Sequence, residues 1–103
     1  MAKLSISIVN YKTKVLTTKC LKSILEKDWN LSYEIWVTDN ASDDGSADFL
    51  KQNFPKIHLI KSDKNIGFAA GHNLALEKIS SDYALILNSD TEIGGKALDE
   101  ILN

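Results

Sequence analysis

Arginine is missing from this chain. All twelve of its cations are lysines, set against fourteen acids for a net charge of −2 over 103 residues. Arginine supplies the planar fork that reads guanine and grips phosphate with two parallel bonds. The lysines are scattered among acids rather than gathered in a stripe, so no nucleic acid is expected as a partner. Cysteine is nearly as scarce. Cys20 alone cannot form an internal disulfide, which fits a reducing, cytoplasmic setting. One Cys and two separated His do not make a zinc site, and no Ser/His/Asp or Cys/His arrangement points to nucleophilic catalysis. Apolar runs reach about five residues, against the ~20 that span a bilayer, so no transmembrane segment is expected. Met1-Ala2-Lys3-Leu4 leads straight into a strand-like pattern, without the apolar stretch of a signal peptide.

What is present reads as one soluble domain, with 44% hydrophobic and 25% charged residues. A chain of this length buries about 65% of its unfolded surface, with little margin. Leu4–Asn10 alternates and is rich in β-branched residues, the signature of a strand. From Val15 to Lys27, Leu16, Cys20, Leu21, Ile24 and Leu25 recur at three- and four-residue spacing, which predicts an amphipathic helix with Cys20 in the core and Thr13 as its cap. A second strand is expected over Tyr33–Thr38. Ser46 opens a short helix with Ala47, Leu50 and Phe54 inward, ended by Pro55. A third strand over Ile57–Ile60 precedes a helix from Phe68 to Ile79 that buries Phe68, Ala70 and Leu74. A fourth strand spans Tyr83–Leu87, and a last helix starts near Gly95 or Lys96 with Ala97, Leu98, Ile101 and Leu102 on one side. Four alternations of strand and helix imply right-handed crossovers. The fold class is α/β, a three-layer α/β/α arrangement around a mainly parallel four-stranded sheet.

Two acidic loops follow apolar strands. The second strand runs into Asp39-Asn40-Ala41-Ser42-Asp43-Asp44-Gly45-Ser46 and the fourth into Asn88-Ser89-Asp90-Thr91-Glu92. In an open parallel sheet, ligands bind beyond the carboxyl ends of the strands, so loops about fifty residues apart in sequence can face one site. Hard oxygen donors suit Mg2+ or Mn2+ that keeps water and bridges phosphates, which points to an enzyme handling a nucleoside diphosphate. Taken singly, Asp39 reads equally as a ligand-facing acid or as a loop residue, with Asp43, Asp44 and Ser46 as caps of the next helix. Asn88-Ser89-Asp90 reads as an acidic triplet lacking its first acid, or as an Asx turn.

The third signal is Asn65-Ile66-Gly67-Phe68-Ala69-Ala70-Gly71-His72-Asn73, a loop joined to a helix. Gly67 can take a positive φ, and Gly71 permits close approach to a backbone or ligand. The helix start offers free N–H groups to an anion; tight helix–sheet packing would need the same glycines. His72 is expected to be a polar surface residue.

These segments together resemble family 2 glycosyltransferases of the GT-A fold, especially the rhamnosyltransferase-like branch. The matching runs, in order, are Ser7–Tyr11, Val37–Ser46, Asn65–Asn73 and Leu87–Thr91. The resemblance implies the N-terminal, nucleotide-sugar-binding half of that fold, Rossmann-like, occupying residues 1–103. Val9, Asn10 and Tyr11 would line the nucleotide pocket, and Asp39 would hydrogen-bond the base. Asn65, Gly67 and Asn73 would shape the wall near ribose and diphosphate, with Ser89 beside them. Asp90 would contact Mg2+ or Mn2+.

The implied activity is that of an inverting glycosyltransferase, moving a sugar from a UDP- or dTDP-linked donor to an acceptor hydroxyl in cell-surface polysaccharide synthesis. The family's catalytic base lies beyond residue 103, so the chain is expected to be truncated and to bind a donor without transferring it. An unprotected fourth strand and a terminal helix short of packing partners predict a homodimer. Two rivals remain. Another Mg2+-dependent doubly wound domain would want an acid where Asn10-Tyr11 end the first strand, and a non-catalytic nucleotide-binding or interaction module would have kept the fold alone.

Overall fold

The computed structural model describes residues 2–94 and 97–101. Its elements are β1 (Leu4–Asn10), α1 (Lys14–Leu25), β2 (Tyr33–Asp39), α2 (Ser46–Asn53), β3 (His58–Lys61), α3 (Phe68–Leu76), β4 (Tyr83–Leu87) and α4 (Ala97–Ile101). The four strands form one sheet in the order β3-β2-β1-β4, every pair parallel. The chain first steps outward from β1 to β3, then crosses back to place β4 on the other side of β1.

Register stacks the apolar side chains on one face. Ile6 lies between Ile35 and Leu85, and Ile8 between Val37 and Leu87. Cys20, Leu21 and Ile24 of α1, Leu50 of α2, Phe54, Ile57 and Leu98 of α4 close over this face as a single core. Each fully buried Leu or Ile side chain contributes about 1.5–3 kcal/mol. The opposite face of β1 presents Ser5, Ser7 and Val9, and α3 covers it. A Cβ at Gly71 would sit 3.0 and 3.3 Å from the two Val9 methyls, so this glycine is what allows α3 to lie so close to β1.

Several sequence expectations are corrected. Leu16 is exposed, because Thr17 turns inward instead and its hydroxyl donates to Asn10. In α3 the buried residues are Gly71, His72 and Ala75, while Phe68 is half-exposed and Ala70 and Leu74 are only partly buried. That helix is apolar nearly all round, so its periodicity carried no orientation; the small residues face β1 because they permit the closest approach. It also stops at Leu76, where the N–H groups of Lys78 and Ile79 both turn back onto the Ala75 carbonyl. β3 sits one residue later than expected, leaving Ile57 as a buried lead-in. Leu98 is buried as anticipated, while the start of the last helix at Gly95 or Lys96 and the packing of Ile101 and Leu102 lie outside the described residues. Among the described residues, no helix is long and apolar enough to cross a membrane.

Candidate functional site

The order of the strands reverses at β1, which has β2 on one side and β4 on the other. At such a switch point the loops leaving neighbouring strands diverge and open a crevice beyond their carboxyl ends. A cleft of about 300 Å³ lies there, lined by Val9, Tyr11, Thr13, Asn40, Asn65, Gly67, Phe68 and Ser89. Val9, Tyr11, Asn65, Gly67 and Ser89 were expected from the sequence, and the fold brings these five together. Asn10, Asp39, Asn73 and Asp90 are not in the lining. A second hollow of about 240 Å³, bordered by Tyr33, Glu34 and Ile35, opens at the amino end of β2, away from these loops.

Asn10 is fully buried and uses both ends of its amide. Its Nδ2 donates to Asp39 Oδ1 at 2.8 Å and to Ser42 Oγ at 3.2 Å. Its Oδ1 accepts from Thr13 Oγ1 at 3.1 Å and from Thr17 Oγ1 at 2.8 Å. Thr13 thus stands at the N-cap of α1, as expected, but its hydroxyl serves Asn10 and makes no capping bond. Asp39 is also buried; its second oxygen accepts from the Ser42 N–H at 3.2 Å. Ser42 Oγ takes a further bond from the Lys12 N–H at 2.9 Å. Lys12 and Ala41 both have positive φ, 56° and 61°, a conformation that costs a non-glycine residue about 1–2 kcal/mol. The network that ties the ends of β1 and β2 together holds those two turns in place.

Asn40 fastens the opposite wall. Its Nδ2 donates to the Gly67 carbonyl at 3.0 Å, and its Oδ1 accepts from the Ile66 N–H at 2.9 Å. Gly67 has φ +89° and begins α3, and its N–H is taken by Asn65 Oδ1 at 3.0 Å. A buried amide therefore spans two loops 26 residues apart. Asn40, Thr13 and Phe68 also line the cleft, beyond the residues expected from the sequence. The signal for Asn40 was its place one residue past a strand end beside a small residue, a pattern shared with ordinary turns.

The loop after β4 is built differently. Asn88 and Asp90 are exposed, and Thr91 N–H closes a turn onto the Asn88 carbonyl at 3.1 Å. The next anchor is Ile93, whose N–H donates to Ser23 Oγ at 2.8 Å and whose carbonyl accepts from Lys27 Nζ. Asp90 and Glu92 lie near enough to α1 to add to the burial that pushes the Cys20 thiol up to about 11, so that cysteine is an inert core residue. Among the described residues, no three His, Cys, Asp or Glu side chains converge as a metal cage. Asp44 holds the start of α2 through Ser46, its carboxyl lowered by those hydrogen bonds.

His72 is buried rather than on the surface, its Nδ1 2.7 Å from Ser7 Oγ. Burial lowers its pKa from the ordinary 6.5.

Residues 5–103 match the family model of glycosyl transferase family 2. A teichoic acid poly(glycerol phosphate) polymerase of Staphylococcus epidermidis is 32% identical over 104 residues, covering 95% of this chain and 14% of the relative. A poly(ribitol-phosphate) beta-glucosyltransferase of Bacillus spizizenii is 33% identical over 101 residues, covering 93% and 16%. The chain therefore spans only a small part of either relative. Among solved structures, S. aureus TarS 1-349 in complex with UDP superposes with a TM-score of 0.86 at 22% identity, over 97% of this chain and 31% of TarS 1-349. A mannosyltransferase of Pyrobaculum calidifontis, in complex with GDP-Man and Mn2+, gives 0.79 at 19% identity, over 99% and 33%. The fold is thus the Rossmann-like half of a GT-A fold, and with nearly its whole length matched, the chain belongs to glycosyl transferase family 2.

Proposed function

We propose that this chain binds the nucleotide-sugar donor of an inverting glycosyltransferase that transfers a sugar to an acceptor hydroxyl in the synthesis of a cell-surface polysaccharide. The observation that carries the proposal is the switch-point cleft, whose lining among the described residues offers amides, hydroxyls and two aromatic rings but no carboxylate. Such a surface suits a base, a ribose and a diphosphate; it does not suit deprotonation of an alcohol. None of these described lining residues is the general base that must accept the acceptor's proton within hydrogen-bond reach. Tyr11 and Phe68 offer ring faces for the base and sugar, and Ser89 brings a hydroxyl from the β4 side. Asn10 and Asp39 act from behind the lining by fixing the turns that carry Tyr11 and Asn40.

Asp90 is the residue that would hold Mg2+ or Mn2+. Its exposed carboxylate is a single hard donor with no cage around it among the described residues, which fits an ion bound largely through diphosphate oxygens and water. When bound, such an ion offsets the charge on the departing nucleoside diphosphate. Calorimetry with UDP and dTDP, with and without Mn2+, tests the reading; a UDP-linked and a dTDP-rhamnose donor extend it to the sugar. Saturable, Mn2+-enhanced binding is expected. Absence of binding to either nucleotide under all conditions would leave the family fold with a different use.

The homodimer is part of the same proposal. β4 is an edge of the sheet with Tyr83 and Ile86 exposed, and pairing of two such edges should raise the mass seen by light scattering above 11.4 kDa.

A further inference from the structure

The face of β1 opposite the core carries Ser5, Ser7 and Val9, and a side chain of α3 ties Ser7 to the wall of the cleft. His72 of α3 reaches down to Ser7, with Nδ1 and Oγ 2.7 Å apart. One turn earlier on the same helix, the Phe68 ring packs edge-on against the imidazole, centroids 4.4 Å apart at 77°. Phe68 lines the cleft and follows Gly67, the residue held by Asn40. We propose that His72 is a positioning residue for nucleotide binding: its neutral imidazole seats the first turn of α3 and the Phe68 ring, and binding weakens when the imidazole takes up a proton. This rests on the reading of the cleft as a nucleotide site.

The chemistry follows from the surroundings. Neutral imidazole needs one donor and one acceptor partner, whereas the cation carries N–H groups at both nitrogens. Nε2 is buried with no hydrogen-bond partner among the described residues, so the cation would bury an unpaired, charged N–H. Beneath α3, β1 supplies Ser5, Ser7 and Val9, and β4 supplies Ala84 and Ile86 on the same face. β2 supplies Trp36 and Thr38 there, and on α3 itself Phe68 and Leu76 lie one turn either way. The ionisable groups on this face of β2 and β3 are Glu34 and His58, which face each other at 3.5 Å. Among the described residues, no carboxylate is aimed at His72 to compensate its charge. Desolvation keeps its pKa below 6.5, so a chain with α3 unseated takes the proton first. The seated state is then fully favoured above pH 6.5 and loses ground as pH falls below it.

The test compares the parent chain with His72→Asn, whose amide can meet Ser7 near the Nδ1 position but does not titrate. UDP is the probe, with Mn2+ present, between pH 7.5 and pH 5.5. The diphosphate's own titration is common to both proteins and cancels in the ratio. The parent's Kd should rise about three- to tenfold more than that of His72→Asn across this range. Equal rises in the two proteins would overturn the proposal. Amide hydrogen exchange at Gly71 and Glu77 gives a readout without nucleotide: after correction for intrinsic rates, these sites should open more readily at pH 5.5 than at pH 7.5 in the parent and not in the variant. Should UDP fail to bind the parent at pH 7.5, the nucleotide reading fails, while exchange rates unchanged by pH would reject the role of His72 on their own. If His72→Asn does not fold, Ser7→Ala serves instead. It should weaken UDP binding at pH 7.5 and narrow the gap to the parent at pH 5.5; a parent-like Kd at both values would overturn the proposal.

Discussion

The loops after β2 and β4 look alike in sequence, each an apolar strand released into Asp, Asn and Ser, and the fold uses them in opposite ways. After β2, Asp39 and Asn40 are buried and their side chains bind Asn10, Ser42, Ile66 and Gly67. After β4, Asn88 and Asp90 stand in solvent around one backbone turn. The difference separates two jobs that acidic strand-end loops perform. A carboxylate whose oxygens accept bonds from buried donors is part of the scaffold, and removing it strands those donors. A carboxylate in water holds nothing together and is free to meet a cation.

The largest test of this contrast is Asn10→Ala. It removes four side-chain hydrogen bonds at once and leaves the buried Asp39 carboxylate with a single backbone donor, so a loss of about 3 kcal/mol is expected in urea unfolding. A loss near zero would mean that the β1–β2 network is ornamental. Asp39→Ala comes next, at roughly 1–3 kcal/mol, because Asn10 Nδ2 and the Ser42 N–H lose their acceptor. UDP titration at a temperature where the variant stays folded should show weaker binding as well. Normal stability with lost affinity would move Asp39 from scaffold to direct ligand contact. Asp90→Ala should be the mildest, within about 0.5 kcal/mol of the parent in stability, yet it should abolish the Mn2+ enhancement of UDP binding. Retained enhancement would take the metal role away from the β4 loop.

The α/β alternation, the limits of β1 and β4, the buried face of α2 and the Cys20 core position were all legible, because each depends on periodicity within one segment. Leu16, Phe68 and His72 were misread for a common reason. Thr17 beside Leu16, and Gly71 and His72 one turn beyond Phe68, each have a partner on β1 that outweighs the apolar pattern. The cleft was partly legible: the glycine-containing loop announced itself through Asn65 and Gly67, whereas Asn40 was hidden in a run of turn-forming residues.

Local sequence alone determined the order and type of the strands and helices and that the sheet is parallel, since side-chain periodicity and loop length act over a few residues. It also placed the two acidic loops at the ligand-binding edge. Which loop became structure and which stayed open was decided only in three dimensions. A carboxylate is buried or free according to the donors that reach it, and for Asp39 the decisive donor, Asn10, is 29 residues away on a neighbouring strand. The orientation of α3 was settled in the same way, by the close approach of Gly71 to Val9 and by the 2.7 Å contact between His72 and Ser7 across 65 residues of chain.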